Sequence, residues 1–228
     1  MRAIGLIGYH NSGKTCIGIK IAEVLKSRGY SVSAVKHIHR DVAFTDKDTA
    51  LYSEHCTKVI GLTREEIHTI DRKTTNLQQI LLSLQTDFVI IEGFKDAATF
   101  PKIICDTEGE QLHHRLALTH VEKGGMDDKN ISQLCDEIEK KAFFLAGADC
   151  TECGYSTCSE YADAILHGKT AQSECLSLPK DIRVSIDGAE IPLKSYVSNT
   201  LKGTILGFLK NLKGYKKGLF ISPYWKRI

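Results

Sequence analysis

A chain of 228 residues with 42% hydrophobic and 25% charged residues has the make-up of a globular protein, with room for one sizeable domain and small appendages. No apolar run approaches the roughly 18–20 residues of a membrane helix, and Ala3–Ile7 is too short for a signal sequence, so a cytoplasmic protein without a membrane partner is expected. The net charge is only +2, but eight Lys/Arg and no Asp/Glu fall from Lys194 onward, so a basic tail follows a mildly acidic body.

Taken in chain order, Arg2–Ile7 reads as a buried strand. Thr15–Arg28 carries Ile17, Ile21, Val24 and Leu25 on one helical face, with Gly29 placed to close the helix. Tyr30–Lys36, Lys58–Leu62, Phe88–Glu92, Lys102–Cys105 and Arg115–Thr119 read as further strands, and Thr74–Gln85 and Asn130–Phe143 as helices. Strands alternating with helices predict an α/β fold, a three-layer P-loop-type sandwich around a mostly parallel sheet, over residues 1–146. The periodicity breaks at Gly147. Residues 147–179 hold a cysteine cluster and one helix near Ser159–His167, closed by Gly168. Residues 180–228 form a basic α+β extension. In it, Asp187-Gly188 turns a hairpin between Arg183–Ile186 and Glu190–Leu193, and Val197–Leu212 is an amphipathic helix.

The first motif with chemistry is Gly8-Tyr9-His10-Asn11-Ser12-Gly13-Lys14-Thr15, a complete G-x-x-x-x-G-K-[ST], followed by Cys16. Amides must turn inward around an anion, which glycine permits, and a helix starting near Gly13 adds its positive end. The pattern therefore predicts a nucleoside triphosphate wrapped by Gly8, His10, Asn11, Ser12, Gly13, Lys14, Thr15 and Cys16. Lys14 would reach the β- and γ-phosphates and the Thr15 hydroxyl Mg²⁺. A second metal-side carboxylate belongs at the tip of a neighbouring strand, where Glu92 ends Phe88–Glu92; Asp46 and Asp48 lie in a polar stretch that also reaches toward Mg²⁺. Lys36-His37-Ile38-His39-Arg40 is a cationic cluster that either binds a second anion or is an ordinary basic loop.

The second motif is Cys150-x2-Cys153-x4-Cys158-x16-Cys175. Four soft ligands within one short segment suit an iron–sulfur cluster or tetrahedral zinc. The lack of a second Cys-x2-Cys pair favours a [4Fe–4S] cluster, with zinc the alternative. The other cysteines, Cys16, Cys56, Cys105 and Cys135, are scattered.

These residues carry a resemblance. Gly8–Thr15, Val35-Lys36-His37, Lys47-Asp48-Thr49, Glu92-Gly93-Phe94-Lys95 and Pro101-Lys102 resemble, in order and spacing, the molybdopterin-guanine dinucleotide biosynthesis protein B (MobB) family over residues 1–145. The resemblance implies a GTP-binding protein with weak hydrolysis that assists the transferase attaching GMP to molybdopterin. Lys14, Thr15, Asp48 and Glu92 would then serve phosphate and Mg²⁺, Lys36, His37 and Lys95 would line the site, and a homodimer is an open expectation. The segment from Cys150 to Cys175 is similar to a [4Fe–4S] module of electron-transfer and corrinoid proteins. Gly154, Tyr155, Tyr161, Ala162 and Gly168 match its accessory positions. That addition opens a second reading, a nucleotide-gated maturation or redox-sensing factor for a molybdenum or tungsten enzyme. A phosphotransferase is a third, for which no substrate-activating base stands out. The guanine signature Asn-Lys-x-Asp is absent, so the choice of GTP over ATP follows from the resemblance. The basic tail lacks a nucleic-acid recognition motif and is expected to be a docking face for an acidic partner or a solvated helix.

Overall fold

The computed structural model describes residues 1–38, 47–71, 76–106, 112–122, 127–170, 175, 177–178, 182, 184–186 and 189–211. Five strands, β1 (Arg2–Gly8), β2 (Val32–Lys36), β5 (Phe88–Glu92), β6 (Lys102–Asp106) and β7 (Ala117–Glu122), form one all-parallel sheet in the order β2-β5-β1-β6-β7. The central three are apolar almost throughout because both of their faces are covered, as a parallel sheet with helices on either side requires.

One face packs on α1 (Lys14–Ser27) and α4 (Asp128–Lys141). Ile17, Ile21 and Leu25, with Ile131, Leu134, Cys135 and Ile138, meet Ile4, Leu6, Phe88, Ile90 and Ile103. Spacings of 3 or 4 residues, from 17 to 21 and 25 and from 131 to 134, 135 and 138, keep these side chains on one helical stripe, so the spacing itself turns that stripe to the sheet. Asp127 caps α4 by accepting from the Asn130 N–H, and Lys140 and Lys141 in its last turn oppose the helix dipole. The opposite face packs Ala3, Val89, Ile91 and Phe100 on Leu81 and Leu82 of α3 (Leu77–Ser83), a helix begun by a reciprocal Asn76–Gln79 capping box. The three layers agree with the fold expected from the sequence.

Several boundaries and two elements differ. The second strand starts at Val32 rather than Tyr30, and β7 is displaced toward the C-terminus of Arg115–Thr119, because residues 114–116 make a turn that feeds the strand. The stretch around Asp48 is a helix, α2 (Lys47–His55), whose polar composition gives it no strong apolar stripe. Lys58–Leu62 (β3) does not join the main sheet; it pairs antiparallel with β4 (Ile67–Asp71), whose alternation a mixed Ile-His-Thr-Ile-Asp sequence hides.

Farther along, α5 (Cys158–Leu166) is capped by Thr157 and ends at Gly168 in the left-handed region. Tyr161, Ala162 and Ile165 bury against Leu116, Phe143 and Leu145, which roots the cysteine segment on the sheet domain. A short hairpin, β8 (Val184–Ile186) with β9 (Ala189–Ile191), precedes α6 (Ser195–Leu209). The expected Asp187-Gly188 turn lies outside the described residues, as do Asp46, His39 and Arg40. Among the described residues no helix is long and apolar enough to cross a membrane.

Candidate functional site

The C-terminal tip of β1 runs straight into the glycine-rich loop. Gly8 has no room for a side chain: a Cβ there would collide with the Cys105 carbonyl and lie 2.6 Å from Ser12 Oγ. Asn11 (φ 61°) and Gly13 (φ 83°) both take left-handed conformations, which fold the loop back on itself. Gly13 then begins α1 with no side-chain cap and no acidic residue in the first turn, so the helix presents its N–H groups and positive dipole end without a competing carboxylate. Ser12 is fully buried; His10, Thr15 and Cys16 are exposed.

Lys14 curls over this loop. Its amine donates to the Tyr9 carbonyl at 2.5 Å, the Ser12 hydroxyl at 3.2 Å and the Gly8 carbonyl at 3.3 Å. Burial lowers its pKa below the usual lysine value. A cation held by three neutral oxygens is poised to exchange them for an anion, which interacts with it more strongly.

The neighbouring strand supplies the carboxylate. Thr15 Oγ1 donates to Glu92 Oε2 at 2.9 Å, while Lys36 Nζ donates to Thr15 Oγ1 at 3.1 Å and pairs with Glu92 Oε1 at 2.9 Å. The parallel register sets Lys36 of β2 beside Glu92 of β5, so three sequence-distant residues converge at one sheet edge. Hydroxyl and carboxylate oxygens so placed form an oxygen-rich pair suited to a hard divalent cation or its waters. Asp48 lies in α2, and its side chain is outside the described set.

After Glu92 the chain turns sharply. Gly93 takes φ 92°, and a Cβ on it would sit 2.8 Å from His37 Cβ. Phe94 is also left-handed (φ 50°); its ring stacks on His37 at 4.6 Å and 23°. Lys95 Nζ lies 5.1 Å from the Tyr9 ring centroid, closing the turn over the glycine loop. Of the lining residues that the resemblance implies, Lys36 meets Thr15 and Lys95 lies over Tyr9, while His37 packs on Gly93 and Phe94. Tyr9 and Phe94 were not singled out, and only their place beside a glycine turn hints at them.

At the opposite end of the domain, Cys150, Cys153, Cys158 and Cys175 line one pocket with Leu145, Tyr155 and Tyr161. Amide donors already face two of the thiols: Ala146, Ser177 and Leu178 toward Cys175, and Gly147 toward Cys158. Burial pushes both thiols above the usual cysteine pKa. Cys150 Sγ is 2.8 Å from Ser177 Oγ. Among the described residues no three His, Cys, Asp or Glu side chains are gathered closely enough for a single metal ion. The four cysteines nevertheless line one pocket, and thiol ligands that share a cavity suit a metal centre.

Compared with known proteins, residues 3–121 match the family described as "Molybdopterin guanine dinucleotide synthesis protein B". The chain belongs to the MobB family. Residues 145–177 match a second family, described as "Putative Fe-S cluster". The "Putative molybdopterin-guanine dinucleotide biosynthesis adapter protein" of Methanocaldococcus jannaschii is 32% identical over 225 residues, covering 94% of this chain and 93% of that protein. The molybdopterin-guanine dinucleotide biosynthesis adapter protein of Haemophilus influenzae is 27% identical over 164 residues, covering 64% of this chain and 92% of its own. Among solved structures, Bacillus subtilis MobB has a TM-score of 0.48 at 18% identity, covering 60% of this chain and 98% of its own length. A MobB homologue from Bacillus stearothermophilus has 0.46 at 21%, covering 61% and 99%. The family match ends at residue 121, and the chain continues into the segment that matches the second family and the basic extension.

Proposed function

We propose that this MobB protein is a GTP-binding adapter in the assembly of molybdopterin guanine dinucleotide, with slow GTP hydrolysis, and that its four-cysteine pocket holds a [4Fe–4S] cluster. The observation that carries the nucleotide reading is the meeting of Thr15, Glu92 and Lys36 beside an uncapped helix start and a glycine loop. In this reading the amides of the Gly8–Cys16 segment grip the phosphates and Lys14 neutralises the β- and γ-oxygens. Thr15, Glu92 and Asp48 serve Mg²⁺ or its waters, and His37 and Lys95 flank the bound polyanion. Slow turnover fits the absence, among the described site residues, of an unoccupied base aimed at a water, since Glu92 is engaged by Thr15 and Lys36. Guanine over adenine follows from the family.

Equilibrium binding of fluorescent GTP to wild type and Lys14→Ala tests the assignment. Loss of binding is expected, and unchanged affinity would end the phosphate reading. Molybdopterin or its transferase is the partner that the resemblance to the family implies; a molybdenum or tungsten enzyme is the partner if the cluster directs this chain elsewhere. The β3–β4 hairpin exposes Ile60, Leu62 and Ile67, an apolar face that supports a homodimer. A Leu62→Lys/Ile67→Lys variant that sediments like wild type would exclude that face. The α6 helix has no buried residue and carries Lys202, with Lys194 and Lys210 flanking it, in a tail that has no acidic residue, which supports docking to an acidic partner.

A further inference from the structure

Between the glycine loop and the cysteine pocket runs one short, doubly anchored segment, residues 93–99. At its start Lys95 covers Tyr9 and Phe94 stacks on His37, directly after Glu92. Its carbonyls are held from below: Lys102 Nζ donates to the Phe94 carbonyl at 3.3 Å and His114 Nε2 to the Lys95 carbonyl at 3.1 Å. The His114 tautomer is settled by its other nitrogen, since Nδ1 accepts the Leu116 N–H at 3.0 Å. The next residue, Arg115, donates to the Ser159 carbonyl at 2.6 Å and contacts Ser159 Oγ, one residue beyond Cys158. Leu116 itself packs in the apolar cluster with Cys158 and Cys175. A second strap reaches the same place: the Leu145 N–H donates to the Thr99 carbonyl at 2.9 Å, and the adjacent Ala146 N–H points at Cys175 Sγ at 3.5 Å.

We propose that occupancy of the four-cysteine pocket and occupancy of the glycine loop regulate one another, through segment 93–99 and the His114-Arg115-Leu116 turn. The inference rests on the nucleotide and cluster readings above. A metal centre held by the four cysteines bears directly on Cys158, the neighbour of Ser159, and on Cys175, which the Ala146 N–H faces. Because the turn is tied to Ser159 through Arg115, and the segment to Leu145, the neighbour of Ala146, a shift at either cysteine is transmitted to the carbonyls of Lys95 and Thr99. At the other end, a polyphosphate drawing Lys14 off the Tyr9 carbonyl shifts the ring that Lys95 covers. Each ligand therefore favours one placement of the same segment, which is what linkage between distant sites requires.

The test compares GTP affinity of anaerobically prepared, iron-loaded full-length protein with that of the same protein after chelation. A difference within the range typical of communicating sites, about 5- to 150-fold, is expected, with the reciprocal change in the rate of iron release to a chelator when GTP is added. Arg115→Ala should bring the affinity ratio to within about twofold, while Arg115→Lys, which retains one donor toward Ser159, should restore part of it. Equal affinities in the two wild-type forms, together with iron release indifferent to GTP, overturn the coupling and leave the phosphate reading standing. No binding by either form overturns both. If Arg115→Ala does not fold, the reciprocal wild-type measurement decides alone.

Discussion

Replacing Lys102 with methionine should raise stability at pH 6 and progressively lose that advantage as the pH rises. Lys102 is fully buried on β6, its stem packed where a Cβ on Gly5 would lie 2.6 Å away, and its amine sits 3.7 Å from the Phe100 ring centroid. Burial pulls its pKa from an ordinary 10.5 down to about 7. Because the folded pKa lies below the unfolded one, the unfolded chain binds more protons between those values, and wild-type stability rises with pH across that window. From pH 6 to pH 9 the folded amine discharges while the unfolded one stays charged, a gain of about 2–3 kcal/mol at 1.36 kcal/mol per unit above the folded value. Methionine, unbranched and of similar length, has no such dependence. It forfeits the cation–π contact, about 0.5–2 kcal/mol, but leaves the Phe94 carbonyl satisfied by the Ala97 N–H at 3.1 Å. Urea denaturation of both proteins at pH 6, 7.5 and 9 reads the difference directly. A wild-type-minus-variant stability that stays constant across that range would refute the claim that Lys102 is a desolvated amine discharging near neutrality.

Gly8→Ala should cost more than 2 kcal/mol by urea denaturation and abolish GTP binding, since the new methyl meets the Cys105 carbonyl, a backbone group that cannot swing aside. His114 must stay neutral to accept from Leu116 and donate to Lys95, and burial beside Lys102 lowers its pKa below the ordinary 6.5. The unfolded chain therefore takes up that proton first as pH falls, so stability declines from pH 7 toward pH 5; His114→Gln should flatten that slope in parallel thermal melts. Cys158 and Cys175, with thiols raised by burial, must shed protons to ligate a metal. Iron uptake, followed by absorbance with sulfide analysis, should accordingly be faster at pH 8.5 than at pH 6.5, and Cys175→Ser should lower bound iron sharply.

The glycine loop was legible in the linear chain because its geometry is local: the left-handed turns at Asn11 and Gly13 and the start of α1 at Lys14 all fall within the eight residues Gly8–Thr15. Glu92 was legible for a weaker reason, as a carboxylate closing an apolar run. The four cysteines declared themselves by crowding. The partnerships of Lys36 with Glu92 and Thr15, of Lys102 with the Phe94 carbonyl, and of Arg115 with Ser159 were not readable. Each joins residues brought together by strand register or by helix docking, and nothing in the sequence around a lysine says which carbonyl it will meet. A lysine in the apolar Lys102–Cys105 run was the one available signal, since burial of a cation demands a special partner. The β4 strand was missed because a two-stranded hairpin with both faces largely exposed needs no alternation of apolar residues.

From its amino acids alone, this chain determined most of the stretches that become strands or helices, where a glycine-rich loop turns, and which thiols crowd together along the chain, because all of these depend on interactions spanning a few residues. Only the tertiary structure decided that β5 lies between β1 and β2, which carries Glu92 and Lys36 to Thr15, and that α5 seats Cys158 against the turn leading into β7. Those contacts arise from the parallel order of the sheet and from burial of Leu116, Phe143 and Tyr161 together. Such a global packing compromise leaves no mark at any single position.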